Sequence, residues 1–165
     1  MIKADEGCEK RLPDGSLAAY LDTRGIWTIG YGYNICAQTH VTPALAAATK
    51  WTMAQAEAAF EACFNRCIAS LDHNFPGWPG LTPARQAVAV SAMYQLGVAK
   101  VLQFAPTIRL ITDHQYDQAA KHMLDSAWGR ETPERVARLA DMMRSGAWPA
   151  SATPANETPA NQIKE

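Results

Sequence analysis

No stretch of this chain approaches the roughly 18 uninterrupted apolar residues that a membrane helix needs, although 48% of its residues are apolar. Charge of one sign is missing too. Fifteen Lys and Arg stand against 16 Asp and Glu, a formal net charge of −1, so there is no global basic field to hold nucleic acid or an anionic polymer. Any attraction to a negative surface has to come from local Arg and Lys groups. The first residues lack the charged-then-apolar pattern of a secretion signal, because Lys3, Asp5, Glu6, Glu9, Lys10 and Arg11 crowd them. Synthesis and storage in the cytoplasm are therefore expected. Cysteine is scarce: Cys8, Cys36, Cys63 and Cys67 are even in number, but without a secretory pattern free thiols are the expectation.

What is present is enough for one compact body, with room for two lobes on a shared core: 165 residues, nearly half of them apolar. The organising stretch is Tyr20 to Gly32. It reads as two short strands around the turn Asp22-Thr23-Arg24-Gly25, where Asp bonds its own backbone and Gly tolerates positive φ. On the returning strand Ile26, Thr28 and Gly30 share one face, and Trp27, Ile29 and Tyr31 the other. Gly30 and Gly32 would weaken an ordinary strand, so they predict that a ligand or a neighbouring helix passes close by.

Before the hairpin, residues 2 to 11 predict a short helix carrying Glu6, and Leu12-Pro13-Asp14-Gly15 is a strong turn signal. After it, Thr42 and Pro43 suit the start of a short helix, and Thr52-Met53-Ala54-Gln55 has the form of a capping box. From there Ala56, Ala59, Phe60, Cys63, Phe64, Cys67, Ile68 and Leu71 recur every three or four residues and predict a helix over 53–72. Pro76, Gly77, Pro79 and Gly80 end it. Thr82-Pro83 opens the next helix, which runs to Gly97 with Val88, Ala92, Met93 and Leu96 inward. Helices are expected again over 106–112, 114–127 and 133–144. Beyond 148 the composition turns to Pro, Ala, Asn and Thr, with Thr-Pro-Ala-Asn repeated at 153 and 158, a solvated tail over 149–165.

Several of these motifs in order resemble one family. Glu6-Gly7 followed by Tyr20-x-Asp22-Thr23-x-Gly25-x-x-Thr28-Ile29-Gly30-x-Gly32 is similar to the signature of the phage lysozymes (endolysins, glycoside hydrolase family 24). Arg85-Gln86-Ala87-Val88, Tyr94-Gln95-Leu96-Gly97, Phe104, Trp128, Thr132-Pro133-x-Arg135 and Gly146-x-Trp148 resemble its helical lobe. The resemblance covers residues 1 to 148. It implies an α+β, mainly helical lysozyme-like fold: a hairpin lobe (1–51), a connecting helix (52–72), a helical lobe (82–148) and a cleft between the lobes. The Glu6–Asp22 spacing of 16 residues is longer than the family's, which predicts an inserted turn.

By this resemblance Glu6 is the general acid, Asp22 the second carboxylate and Thr28 the residue that helps place the attacking water. A glycosidic bond needs such a pair, one group protonating the leaving oxygen and another handling water. Asn34, Tyr94, Thr107 and His122 fall where the family binds the glycan, with Asn34 and His122 departing from its usual residue types. Arg135 matches an arginine near the glutamate. The implied reaction is hydrolysis of the β-1,4 bond between N-acetylmuramic acid and N-acetylglucosamine, with inversion and without cofactor or metal. The implied partner is the peptidoglycan glycan strand, not nucleic acid or a membrane, and the protein is expected to be a monomer that reaches the wall through a holin.

On residue type alone the plainer readings hold. Glu6 would be a solvated helix residue, Asp22 a turn former, Thr28 a strand former and His122 part of a wet helix face. Trp128 reads as core. Cys63 and Cys67 lie one turn apart, but no further ligands at metal spacing accompany them, so they too read as core. A peptidoglycan-binding or structural phage module that kept the fold without turnover is the rival, and a lytic transglycosylase, which needs only the acid, a third option.

Overall fold

The computed structural model describes residues 1–6 and 10–149. In the first part of the chain lie α1 (Ile2–Glu6), β1 (Leu17–Ala18), β2 (Tyr20–Leu21), β3 (Trp27–Ile29), β4 (Tyr33–Asn34), α2 (Ile35–Thr39), α3 (Pro43–Ala47), β5 (Lys50–Trp51) and α4 (Met53–Asn74). There follow α5 (Pro83–Leu96), α6 (Val98–Leu102), α7 (Ala105–Thr112), α8 (Tyr116–Asp125), α9 (Ala127–Glu131) and α10 (Pro133–Ser145). This is the mainly helical α+β class that the sequence predicts. Two compact units form, Met1–Pro79 with Ala89–Ala105, and Gly80–Val88 with the chain from Pro106 on. The long helix α4 belongs wholly to the first unit, and α5 begins in the second and ends in the first. From residue 150 on, the expected tail lies outside the described residues, as do Gly7, Cys8 and Glu9.

The helix expected over 2–11 is shorter. It is described over Ile2–Glu6 and does not extend to residue 11: Lys10 takes a left-handed φ of 55° that no helix continues through, and Arg11 is bridged to Leu17. The turn expected at Leu12-Pro13-Asp14-Gly15 closes this small loop: Leu12 N–H donates to the Ser16 carbonyl (2.7 Å), Gly15 N–H to that of Leu12 (2.9 Å), and Asp14 Oδ1 accepts the Ser16 backbone N–H (2.9 Å). Antiparallel pairing then joins β1 to β5, with Leu17 opposite Trp51. The hairpin itself is wider than two strands. It is the sheet β2-β3-β4, in which Thr28 opposes Tyr20 on one side and Asn34 on the other.

Leu17, Ile29, Ile35, Ala46 and Ala56 make the core under this sheet, and burial of each large aliphatic side chain stabilises it by about 1.5–3 kcal/mol. Gly30 shows why glycine stands on the returning strand: with φ +60°, a Cβ there would lie 3.0 Å from Ala56 Cβ of α4. The capping box that starts α4 is formed, Thr52 Oγ1 accepting the Gln55 N–H (3.2 Å) and Gln55 Oε1 accepting the Thr52 N–H (2.8 Å). Of its predicted apolar face, Ala56, Cys67 and Leu71 are buried. Phe60, half-buried, holds Tyr31, Tyr94 and Phe64 at ring-centroid distances of 5.6, 5.4 and 5.9 Å.

In the second unit α8, α9 and α10 pack on one another. Ala119, Ala120 and Met123 from α8 are buried, as are Trp128 and, from α10, Val136, Leu139, Ala140 and Met143. Arg85 binds the end of α10: Nε donates to the Met143 carbonyl (2.8 Å) and Nη2 to that of Arg144 (3.0 Å). Its guanidinium lies 3.4 Å from the centre of the Tyr116 ring.

Candidate active site

Glu6 is the last residue of α1, half-buried, and its carboxylate meets the turn between β3 and β4. A Cβ on Gly32 would stand 2.7 Å from Glu6 Oε2, and Gly32 has φ +73°. Glycine is therefore required there twice over, by the backbone and by the carboxylate. A five-residue helix is far too short to be stable by itself; side chains tie α1 down. Lys3 forms an ion pair with Glu57 of α4, and the same carboxylate accepts the Tyr31 hydroxyl (2.6 Å). The Lys3 ammonium lies 4.9 Å from the Phe60 ring centre and 5.2 Å from that of Tyr31. The hydrogen bond from Lys3 foremost, and then that from Tyr31, hold the Glu57 carboxyl below the usual carboxylate range.

Tyr94, from the end of α5, donates its hydroxyl to the Tyr31 carbonyl (2.7 Å). Burial first, then the charges of Cys63 and Glu6, push this phenol well above the usual tyrosine range, so it stays protonated. With its proton engaged, its oxygen lone pairs remain for another partner.

Asp22 is fixed by its own turn. Oδ1 accepts the backbone N–H groups of Arg24 (2.9 Å) and Ile26 (2.8 Å), and Oδ2 lies 3.6 Å from Arg24 Nε. Thr28, buried at the centre of the sheet, donates its hydroxyl to the Ile26 carbonyl (3.1 Å). That leaves its oxygen free to accept. Asn34 caps α2, Oδ1 accepting the Ala37 N–H (3.0 Å), and its amide nitrogen remains a donor.

A groove of about 490 Å³ in the first unit is lined by Arg24, Gly32, Asn34 and Tyr94, with Arg66 and Cys67 among the residues of α4. It brings Asn34 and Tyr94 together with the glycine that Glu6 touches and the arginine that pairs with Asp22. Thr107 and His122 belong to the second unit, Thr107 buried in α7 and His122 exposed in the last turn of α8. Cys67 is buried, and burial foremost pushes its thiol up to about 11. Cys36 and Cys63 are free thiols. Among the described residues no group of three or more His, Cys, Asp or Glu could hold a metal ion.

Sequence reasoning missed Lys3, Glu57 and Tyr31, which the fold joins across more than fifty residues, and Arg66, which nothing in the pattern of α4 sets apart. Arg24 stands inside the hairpin signature but at one of its open positions.

This fold and hairpin define a mainly helical α+β protein that presents two carboxylates and a buried threonine around one β-sheet. The family model for phage lysozymes matches residues 6–142, and the chain belongs to the phage lysozyme family. The match bears out the resemblance carried by Glu6 and the Tyr20–Gly32 signature. A probable T4-type lysozyme 1 of Dictyostelium discoideum is 28% identical over 164 residues, covering 88% of this chain and 92% of that protein. A probable T4-type lysozyme 2 of the same organism is 24% identical with the same coverage. The pre-baseplate central spike protein Gp5 of Enterobacteria phage T4 is 26% identical over 163 residues, 88% of this chain and 27% of that protein.

Proposed function

We propose that the protein is a lysozyme that hydrolyses the β-1,4 bond between N-acetylmuramic acid and N-acetylglucosamine in bacterial peptidoglycan. The observation that carries this reading is the Glu6 carboxylate seated against Gly32 on the same sheet that carries Asp22 and Thr28 at fixed hydrogen-bonded positions. Glu6 gives its proton to the glycosidic oxygen as the bond to the anomeric carbon breaks. Asp22 accepts a proton from the attacking water through Oδ2, the oxygen that takes no backbone N–H and lies beside Arg24 Nε, while the Thr28 oxygen accepts the water's second hydrogen. Water entering opposite the leaving group inverts the anomeric carbon. Asn34 and Tyr94 bind the sugar in the groove of the first unit, and Thr107 and His122 belong to the glycan-binding set on the second. No cofactor takes part. The wall is reached from the cytoplasm through a holin, and the enzyme works as a monomer.

The test is release of reducing sugar ends from purified peptidoglycan by the parent and by Glu6→Gln. The parent is expected to release ends and the variant to lose at least about a hundredfold in rate while melting normally. NMR of the first-formed anomer should show inversion, and net retention would refute that part of the mechanism. A parent that binds the wall and releases no ends would replace the enzymatic reading with that of a binding module.

A further inference from the structure

Glu57 of α4 holds both halves of the contact on which the proposed chemistry depends. One half is the acid. Glu6 ends α1, and Lys3 stands one turn before it on the same helix face. The other half is its seat, Gly32, which directly follows Tyr31. The two oxygens of the Glu57 carboxylate divide between these halves, Oε2 pairing with the Lys3 ammonium and Oε1 accepting the Tyr31 hydroxyl at 2.6 Å. A single side chain therefore ties the helix that carries the acid to the turn that receives it.

The neighbours of this tie orient it. The Lys3 ammonium lies 4.9 Å from the Phe60 ring centre and 5.2 Å from that of Tyr31, so the two rings and the carboxylate fix its place together. Phe60, one turn along α4 from Glu57, meets the Tyr31 ring edge-on at 5.6 Å between centroids. Tyr94 donates its hydroxyl to the Tyr31 carbonyl at 2.7 Å, on the peptide that leads into Gly32. We infer that Glu57 is a positioning residue: through Lys3 on one side and Tyr31 on the other, it holds the Glu6 carboxylate against Gly32, in the place from which Glu6 protonates the glycosidic oxygen. The inference rests on the lysozyme reading for that last step.

Reducing-end release from purified peptidoglycan and the NMR resonance of the Gly32 amide, read in the same variants, test it. Lys3→Met keeps the apolar stem over the rings and loses the charge, while Glu57→Gln keeps an oxygen for the Tyr31 hydroxyl and loses the charge. Each is expected to lower kcat about 5- to 20-fold and to leave KM within about twofold, as a residue that acts by position does. The double variant should do little worse than either single one, and Lys3→Arg should recover most of the rate. The Gly32 amide should shift in Lys3→Met and in Glu57→Gln, as it does in Glu6→Gln. Thr52→Ala, which weakens the same helix at its cap, should lower Tm with kcat and the Gly32 resonance at their parental values. Parental kcat in Glu57→Gln, a Gly32 resonance that this variant leaves unmoved, or a fall in kcat that Thr52→Ala reproduces overturns the positioning role. If the parent releases no ends, the lysozyme reading alone fails, and the Gly32 resonance decides whether Glu57 places Glu6.

Discussion

Replacing Gly32 by alanine separates the two demands that the structure makes at this position. The backbone there is left-handed, with φ +73°, and the new Cβ would lie 2.7 Å from Glu6 Oε2 where ordinary contact begins at 3.4 Å. The backbone term costs about 1–2 kcal/mol for a residue with a Cβ, partly offset by about 0.4–1 kcal/mol from the stiffer unfolded chain. A net loss of about 1 kcal/mol should lower Tm by roughly 2–4 °C in a chain of this size. The contact term acts elsewhere. The end of a glutamate side chain moves more easily than a strand, so the Glu6 carboxylate should give way by about 0.7 Å, the shortfall in that contact. A displacement of about an ångström at a reacting group costs up to roughly a hundredfold in rate, so kcat on purified peptidoglycan should fall about 10- to 100-fold. Gly15→Ala is the control. Gly15 also has a left-handed φ, +82°, but a Cβ there would meet nothing within 4 Å, so it should show the same loss in Tm with kcat preserved. Parental kcat in Gly32→Ala, or an equal loss in both variants, would refute the reasoning that ties Glu6 to Gly32.

Three further outcomes are expected. Glu57 is held below the usual carboxylate range, so its contribution is present above the unfolded value of 4.5 and disappears as pH falls through the lower folded one. The Tm difference between the parent and Glu57→Gln should therefore shrink below pH 4.5, and a difference constant from neutral to strongly acid pH would contradict the ion pair with Lys3. Arg85→Lys should destabilise by about 2 kcal/mol in urea titrations, because lysine cannot bond both carbonyls at the end of α10 and lie flat on Tyr116; an unchanged midpoint would mean that those bonds contribute nothing net. Thr52→Ala removes one half of the capping box of α4 and should cost about 1 kcal/mol, or roughly 2–4 °C in Tm, and no shift by calorimetry would show that packing alone holds that helix end.

The parts of the fold that were legible are those whose chemistry is local. The capping box at Thr52 and Gln55, the cap at Thr42 and the turn of Asp22 each close within four residues, so the residue types announce the hydrogen bonds that form. Helices α2, α6 and α9 have five residues each, too few to show a 3.6-residue period, and were not anticipated. The pairing of β1 with β5 joins dipeptides more than thirty residues apart, and nothing in either dipeptide names its partner. The charged residues over 2–11 suit a helix surface and so overstate the helix; the left-handed Lys10 and the bridge from Arg11 to Leu17 are set by the turn that follows.

The candidate site divides along the same line. Asp22 and Thr28 are positioned by bonds to their own neighbours at 24 and 26, so a signature could name them and also foresee how they are held. Glu6 is different, because the helix that ends on it cannot stand alone. Its place follows from Lys3 reaching Glu57, Glu57 taking the Tyr31 hydroxyl and Tyr94 fixing the Tyr31 carbonyl, one residue before the glycine against which the carboxylate rests. The glycines at 30 and 32 did predict close approaches, yet what comes close is the side chain of Ala56 at one and that of Glu6 at the other. A motif can therefore state that Glu6 matters while the residues that aim it lie outside the motif. Under the proposed mechanism a change at Lys3, Glu57 or Tyr31 would act on the chemistry through the position of one carboxylate, the hydrogen bonds and ion pair among them carrying the effect.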